Sequence, residues 1–150
     1  MTNIAPQLSL PETAQALCES WGFSVFPLRP RSKKPLVSSW LPYQTEAPSP
    51  DQIEEWWENE PSANIAIACG KVSDLVIVDA DNDNAVDWVL HNYIQTPVAV
   101  KTKRGYHYYY KYPHGSEEWL KAERERHKEA KDGVDIQIDG FYAVGPNSVH

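Results

Sequence analysis

Read from the amino terminus, the chain alternates stretches of helical periodicity with short, bounded apolar runs. Ser9-Leu-Pro-Glu12 has the form of a capping box with proline in the first turn. Ala14, Leu17, Cys18 and Trp21 then recur at helical spacing until Gly22. Residues 1–8 before this helix read as a loose tail. The run at 23–28 (FSVFPL) is of strand type. Residues 29–48, rich in proline, serine and basic side chains, read as a long connection anchored by Trp40 and Tyr43. Ser49-Pro50-Asp51-Gln52 is a second capping box, and it opens a short helix through Ile53, Trp56 and Trp57 that ends before Pro61. Trp56 and Trp57 are adjacent, so they cannot both face one side of that helix.

Two apolar runs follow, 64–70 (NIAIACG) and 75–81 (LVIVDAD). Only residues 71–74 separate them, so a hairpin or adjacent strands are predicted. Residues 82–93 return to helical spacing. The runs 97–102 and 106–112 flank a turn at Lys103-Arg104-Gly105. Residues 115–131 are highly charged and read as a solvated helix or a mobile insertion. The stretches 134–140 (VDIQIDG) and 141–145 (FYAVG) carry a closing hairpin signal. About six strands and three or four helices imply an α+β domain with a largely antiparallel sheet.

Composition narrows the class. A chain of 150 residues fits one domain and needs no disulfide staple. Cys18 and Cys69 are too few for a disulfide framework or a cysteine-rich zinc site. No apolar run approaches the roughly 18 residues of a membrane span, and the amino terminus lacks the pattern of a secretory signal. A cytoplasmic location, with no membrane partner, is therefore expected. The net charge of −7 argues against a protein held to nucleic acid by bulk electrostatics. The cations are clustered, however: Arg29, Arg31, Lys33 and Lys34 in one hexapeptide, and Lys101, Lys103 and Arg104 in another segment. Local basic patches on an acidic chain suit a phosphate-bearing ligand.

The candidate chemistry is carboxylate chemistry. Asp79 and Asp81 end a run of aliphatic residues, and in a strand i and i+2 share a face, with Cα atoms roughly 6.5–7 Å apart. Such a pair fits either a hard divalent cation held by oxygen ligands or a turn with a helix N-cap. Residues 134–139 alternate strictly, placing Asp135, Gln137 and Asp139 opposite Val134, Ile136 and Ile138. Asp139, just before Gly140, reads as a turn residue. Asp135 stays open between an ordinary half-solvated strand position and a third ligand. In 106–112 the tyrosines at 106, 108, 110 and 112 share a face, read as core in preference to a stacking platform for bases. His107 follows a basic turn and suits a phosphate donor or a plain surface position. His91, His114 and His127 show no ligand spacing. No phosphate-binding glycine loop, dinucleotide fingerprint, nucleophile elbow or zinc-protease motif is present.

Taken in order, these segments resemble the bifunctional DNA primase/polymerase N-terminal (prim-pol) domain of the archaeo-eukaryotic primase superfamily, found in plasmid and phage replication proteins. The resemblance runs from about Ala14 to the last residue. It rests on Gly22-Phe-Ser-Val-Phe-Pro-Leu28, Ser32-Lys-Lys-Pro-Leu36 with Trp40, Pro50-Asp-Gln-Ile53 with Trp56-Trp57, and Pro61-Ser-Ala-Asn-Ile-Ala-Ile67 with Gly70. It continues through Leu75-Val-Ile-Val-Asp-Ala-Asp81, Thr102-Lys-Arg-Gly-Tyr-His107, Gly133-Val-Asp-Ile-Gln137 and Gly145-Pro-Asn-Ser-Val-His150. The resemblance implies an RRM-like catalytic sheet joined to an N-terminal α/β module. The domain would span 9–150 and stop short of the strand and helical segments with which family members normally continue.

The resemblance further implies a DNA primase/polymerase, an enzyme of metal-dependent nucleotidyl transfer. Asp79, Asp81 and Asp135 match its metal-binding carboxylates, which hold two Mg²⁺ or Mn²⁺ ions; zinc is not expected. His107 matches a histidine that contacts the incoming nucleotide's phosphates, with Lys103 and Arg104 beside it. Lys33 falls in a Lys-x-Pro element and is carried over as a phosphate or template contact. Ser148 and His150 match a closing Pro-x-Ser-x-His element. The implied partners are a dNTP or NTP, a single-stranded DNA template and primer, and a helicase or helical-bundle domain, fused or in trans. The chain departs from the family pattern in having a single glycine before the histidine and Pro146-Asn147-Ser148 where Pro-Pro-Ser is usual. Two other classes use similar residues: a metal-dependent nuclease or phosphohydrolase, and a non-catalytic nucleotide- or nucleic-acid-binding module.

Overall fold

A computed structural model describes residues 7–149. The expected tail falls mostly on residues 1–6, outside the described residues, as does His150. The chain divides into two compact units. One comprises Met1–Ile67 with Val144–His150; the other, Ala68–Ala143, is inserted between those segments.

In the first unit, α1 (Leu10–Glu19) starts as its sequence directs. Ser9 Oγ accepts the Glu12 N–H, and Glu12 returns the bond to the Ser9 N–H. At α2 (Pro50–Asn59) only half of the second box forms among the described residues: Ser49 Oγ accepts the Gln52 N–H. Trp57 is buried, its indole N–H bonded to the Ala63 carbonyl at 3.0 Å, while Trp56 is half-buried and edge-on to Tyr43. β1 (Ser24–Leu28) and β2 (Asn64–Ala68) are buried at every position and join β7 (Tyr142–Val144) in a sheet of order β1-β2-β7.

The second unit is built on a four-stranded antiparallel sheet of order β4-β5-β3-β6: β4 (Ala99–Lys101), β5 (Tyr106–Lys111), β3 (Leu75–Ala80) and β6 (Val134–Gln137). Val76, Val78, Ala80, Tyr108, Tyr112, Val134 and Ile136 form one buried cluster with Ala85 and Val89 of α3 (Asp83–Asn92) and Leu120 of α4 (Glu117–Ala130). Leu75 and Ile77, which alternate with these on β3, are buried as well. Burial on both faces is why β3 reads as an unbroken aliphatic run and not as an alternation.

The α+β class, the four α-helices among the described residues and the antiparallel pairing agree with the sequence reading. So does the hairpin of β4 and β5. The other two expected hairpins do not form. β2 and β3 lie in different sheets, and the short return between Gly70 and Leu75 is an isolated bridge outside both sheets' ladders. A strand has two edges, and those of β3 are taken by β5 and β6. Gly70, with φ +95, and Asp74, with φ +50, turn the chain between the sheets. β6 and β7 part in the same way, beyond a turn at Gly140 with φ +86. Of the two readings of the charged stretch 115–131, a solvated helix or a mobile insertion, the helix is the one found, though it is not solvated on every side. It forms α4, which buries Leu120 and His127.

Candidate functional site

β3 is the central strand of the site. Its register sets Asp79 opposite His107 of β5 on one side and opposite Asp135 of β6 on the other. Residues directly opposite in an antiparallel pair share a face, with Cα atoms roughly 4.5–5.5 Å apart. His107, Asp79 and Asp135 therefore form one row across three adjacent strands. Asp81 lies two residues further on, where its backbone N–H extends the ladder to the Gly133 carbonyl at 2.9 Å. This end of the sheet is closely built. A Cβ at Gly105 would fall 1.8 Å from the Ala80 carbonyl oxygen, and one at Gly133 would fall 2.3 Å from Asn82 Nδ2. Both glycines are needed where the chain passes the end of β3. Asn82 caps α3 by accepting the Ala85 N–H, so the turn-and-cap reading of this segment also holds, for Asn82.

Each carboxylate meets a cation or a histidine. His107 Nε2 stands 3.6 Å from Asp79 Oδ1. Arg104 Nη2 donates to Asp81 Oδ2 at 2.7 Å, and Arg124 Nη1 donates to Asp135 Oδ1 at 2.8 Å. Gln137 Nε2 bonds the other oxygen of Asp135 at 2.9 Å. The two arginines differ in how they are held. Arg104 sits on the 102–105 turn with its side chain 71% exposed. Arg124 is 11% exposed, donates also to the Ile136 carbonyl, and stacks 3.6 Å above the Phe141 ring. Lys103 is exposed on the same turn as Arg104.

Three carboxylates at one end of a sheet are the oxygen donors that hard divalent ions take. Capacity is left over: Asp79 and Asp135 retain free lone pairs, and His107 Nδ1 is buried without a hydrogen-bond partner. Their chemistry thus fits Mg²⁺ or Mn²⁺. The side chains are not gathered for an ion, since among the described residues no group of three or more His, Cys, Asp or Glu is close enough to hold one. Each carboxylate holds its own partner instead.

The other sequence candidates fall elsewhere. Lys33 and Ser148 belong to the first unit, where Ser148 Oγ accepts the Ile65 N–H at 3.0 Å. His150 lies outside the described residues. Asp139 accepts the Lys71 N–H at 3.1 Å, as a turn residue would. The tyrosine face is core: Tyr108 and Tyr112 are buried in the helix-covered cluster, with Tyr106 and Tyr110 packed against it. Arg124 went unnoticed in the charged run, yet Leu120, Arg124 and His127 stand at i, i+4 and i+7, a single helix face.

That face carries a second polar cluster. His127 is 1% exposed; its Nδ1 lies 2.7 Å from Asp132 Oδ2 and its Nε2 3.0 Å from the Tyr93 hydroxyl. Tyr93 donates to Glu123, which also receives two bonds from Arg126. Trp88 meets the His127 ring edge-on at 4.6 Å. Burial pushes the Asp132 carboxyl up, but the bonds from His127 and the Val134 N–H outweigh it and hold the group below the usual carboxylate range. Glu123 is likewise held low, by Arg126 and Tyr93 against its burial.

The family model described as bifunctional DNA primase/polymerase, N-terminal, matches residues 14–150. No curated protein shows a significant match to the chain. Among the described residues no helix is long and apolar enough to cross a membrane.

Proposed function

The chain belongs to the bifunctional DNA primase/polymerase N-terminal family, and from that premise we propose that it transfers nucleotides from dNTPs or NTPs to a primer end or a starting nucleotide on a DNA template. A 3′-hydroxyl attacks the α-phosphate, the bond to the bridging oxygen breaks, and pyrophosphate leaves. The observation that carries the reading is the row of His107, Asp79 and Asp135 across three paired strands, with Asp81 at its end.

Asp79, Asp81 and Asp135 would hold Mg²⁺ or Mn²⁺, which supplies positive charge at the attacking and leaving oxygens. The remaining roles belong to the protein. His107 is fixed within β5, and its ring presents a donor beside Asp79 to the phosphates of the incoming nucleotide. Arg104, exposed on its turn, exchanges Asp81 for triphosphate oxygens, to which its planar fork is suited. Lys103 adds charge at the same turn. Arg124 stays in place, because the Ile136 carbonyl and the Phe141 ring anchor it, and it keeps the Asp135 carboxylate oriented. Nothing covalent is asked of the chain; alignment and charge stabilisation carry the rate. A helicase or helical-bundle domain, fused or in trans, would add affinity for DNA.

A labelled primer on a template, incubated with Mn²⁺ with and without dNTPs, tests this. The primer is expected to lengthen only with dNTPs. Asp79→Ala and Asp81→Ala should abolish extension while circular dichroism stays unchanged. Shortening of the primer would mean a nuclease, and binding without extension a non-catalytic module; either result overturns the proposal.

A further inference from the structure

Lys101, the last residue of β4, is exposed, yet its ammonium is held. Its Nζ donates to the Thr102 carbonyl at 3.0 Å and to the Gly105 carbonyl at 3.3 Å, and it stands 5.1 Å from the centre of the Tyr106 ring. Between the paired strands, Lys101 lies opposite Tyr106 and Val100 opposite His107. Neighbours along a strand point to opposite faces. Lys101 therefore shares the face of Tyr106, which packs against the cluster under α3 and α4, while His107 occupies the other. The lysine stem thus starts from the face that the row of His107, Asp79 and Asp135 does not use.

The turn that Lys101 grips is the one that carries Lys103 and Arg104. It closes on itself twice: Thr102 N–H bonds the Gly105 carbonyl at 2.9 Å, and Gly105 N–H bonds the Thr102 hydroxyl at 3.1 Å. Towards β3 it has no slack. Gly105 leaves no room for a Cβ beside the Ala80 carbonyl, and Arg104 bonds Asp81, the next residue. From behind, the ammonium draws two carbonyl oxygens of the turn onto one cation. A charged donor makes stronger hydrogen bonds than a neutral one, so the backbone between those carbonyls is restrained. This restraint does not pass through Asp81. It persists when Arg104 lets that carboxylate go, which is the moment at which the arginine loses its own anchor.

We propose that Lys101 is a positioning residue of the nucleotide site: it braces the 102–105 turn from the face opposite His107 and so holds Arg104 where the arginine can exchange Asp81 for triphosphate oxygens. Lys101 itself touches no nucleotide. Its contribution is to spare the turn the ordering that binding would otherwise demand. The inference rests on the nucleotidyl-transfer reading for its ligand; the brace itself rests on the turn.

Lys101→Met tests it, since methionine keeps much of the stem over Tyr106 and removes the donors. Two measurements on the whole chain are needed. Hydrogen exchange of the Thr102 and Gly105 amides, followed by NMR without nucleotide, should quicken about tenfold. Affinity for mant-dATP, from a fluorescence titration in Mn²⁺ without DNA, should fall about tenfold. In an Arg104→Gln background the same change should cost little further, because the brace acts through Arg104. A loss that adds in full there would make Lys101 a phosphate contact in its own right and overturn the proposal. Exchange at the wild-type rate overturns it too, as does unchanged affinity in a variant whose exchange has quickened. A wild-type chain that binds no mant-dATP would bring down the nucleotidyl-transfer reading and, with it, the role of Lys101 toward a nucleotide. That result is read on the wild-type chain alone, so the two failures are distinct.

Discussion

At the end of the four-stranded sheet, Asp79, Asp81 and Asp135 meet His107, Arg104 and Arg124; between α3 and α4, Glu123 and Asp132 meet His127 and Arg126. The residue types are nearly the same, but the settings are opposite. Both nitrogens of His127 are engaged, its ring is sealed under Trp88, and the carboxylates around it are held by several donors each. His107 has one nitrogen without a partner and the other 3.6 Å from Asp79, at an end of the sheet where Asp81 and Asp135 remain open to solvent. A histidine between carboxylates is therefore not by itself a site. What separates the two clusters is unused bonding capacity within reach of a ligand.

Exchanging chemistry for stability tests that separation most severely. Asp79→Asn should reduce nucleotide incorporation by about a thousandfold or more, the scale of removing a group that stabilises the transition state. Its unfolding midpoint in urea should barely move, since among the described residues the Asp79 side chain has only the 3.6 Å contact with His107 to lose. His127→Ala should do the reverse. It removes one partner of a buried charged cluster and leaves a cavity, costing about 3–5 kcal/mol of unfolding free energy. The rate per folded molecule should be kept. Urea denaturation and primer extension on both variants decide the matter, and a His127 variant that is stable but inactive would erase the distinction.

Arg124 joins the two clusters, since it shares a helix face with His127 yet holds Asp135. Arg124→Lys keeps the charge but cannot span the Asp135 carboxylate, the Ile136 carbonyl and the Phe141 ring together. Apparent Mn²⁺ affinity, read by the loss of the free-ion electron paramagnetic resonance signal, should fall about tenfold. Extension at saturating Mn²⁺ should recover much of its rate. An unchanged Mn²⁺ titration would make Arg124 a packing residue of α4 and no part of the site.

How far these features could be read in advance depends on whether they are local. The helix starts at Ser9 and Ser49 and the β4–β5 turn are written in adjacent residues. So is the pairing of Asp79 with Asp81 on one face, because alternation along a strand fixes it. Which residue stands opposite Asp79 is not local. Register between β3, β5 and β6 comes from packing under α3 and α4, and in the sequence only the ordered family segments pointed to His107 and Asp135. The missed hairpins have the same cause. The 71–74 and 139–141 turns look like hairpin turns, but the edges of β3 belong to distant strands. Arg124 was hidden by composition, in a helix whose low apolar content masks the Leu120, Arg124, His127 stripe.

The smallest expected effect concerns pH. Asp132 and Glu123 are held below their ordinary range in the folded chain, so folding releases protons from them. The stability they contribute is complete above the ordinary carboxylate pKa of about 4. It is lost as pH falls through their depressed folded values, where the folded state must at last take up the protons that the unfolded chain already holds. Unfolding free energy from urea titrations should therefore stay level from neutral pH to about 5 and decline below that, and Asp132→Asn should lower the neutral plateau while flattening that decline. The pH dependence would then belong to the sealed cluster under Trp88. If Asp132→Asn left the slope untouched, the acid sensitivity would have to come from carboxylates elsewhere, and the tight hydrogen bonding around His127 would no longer distinguish that cluster from the open row at the end of the sheet.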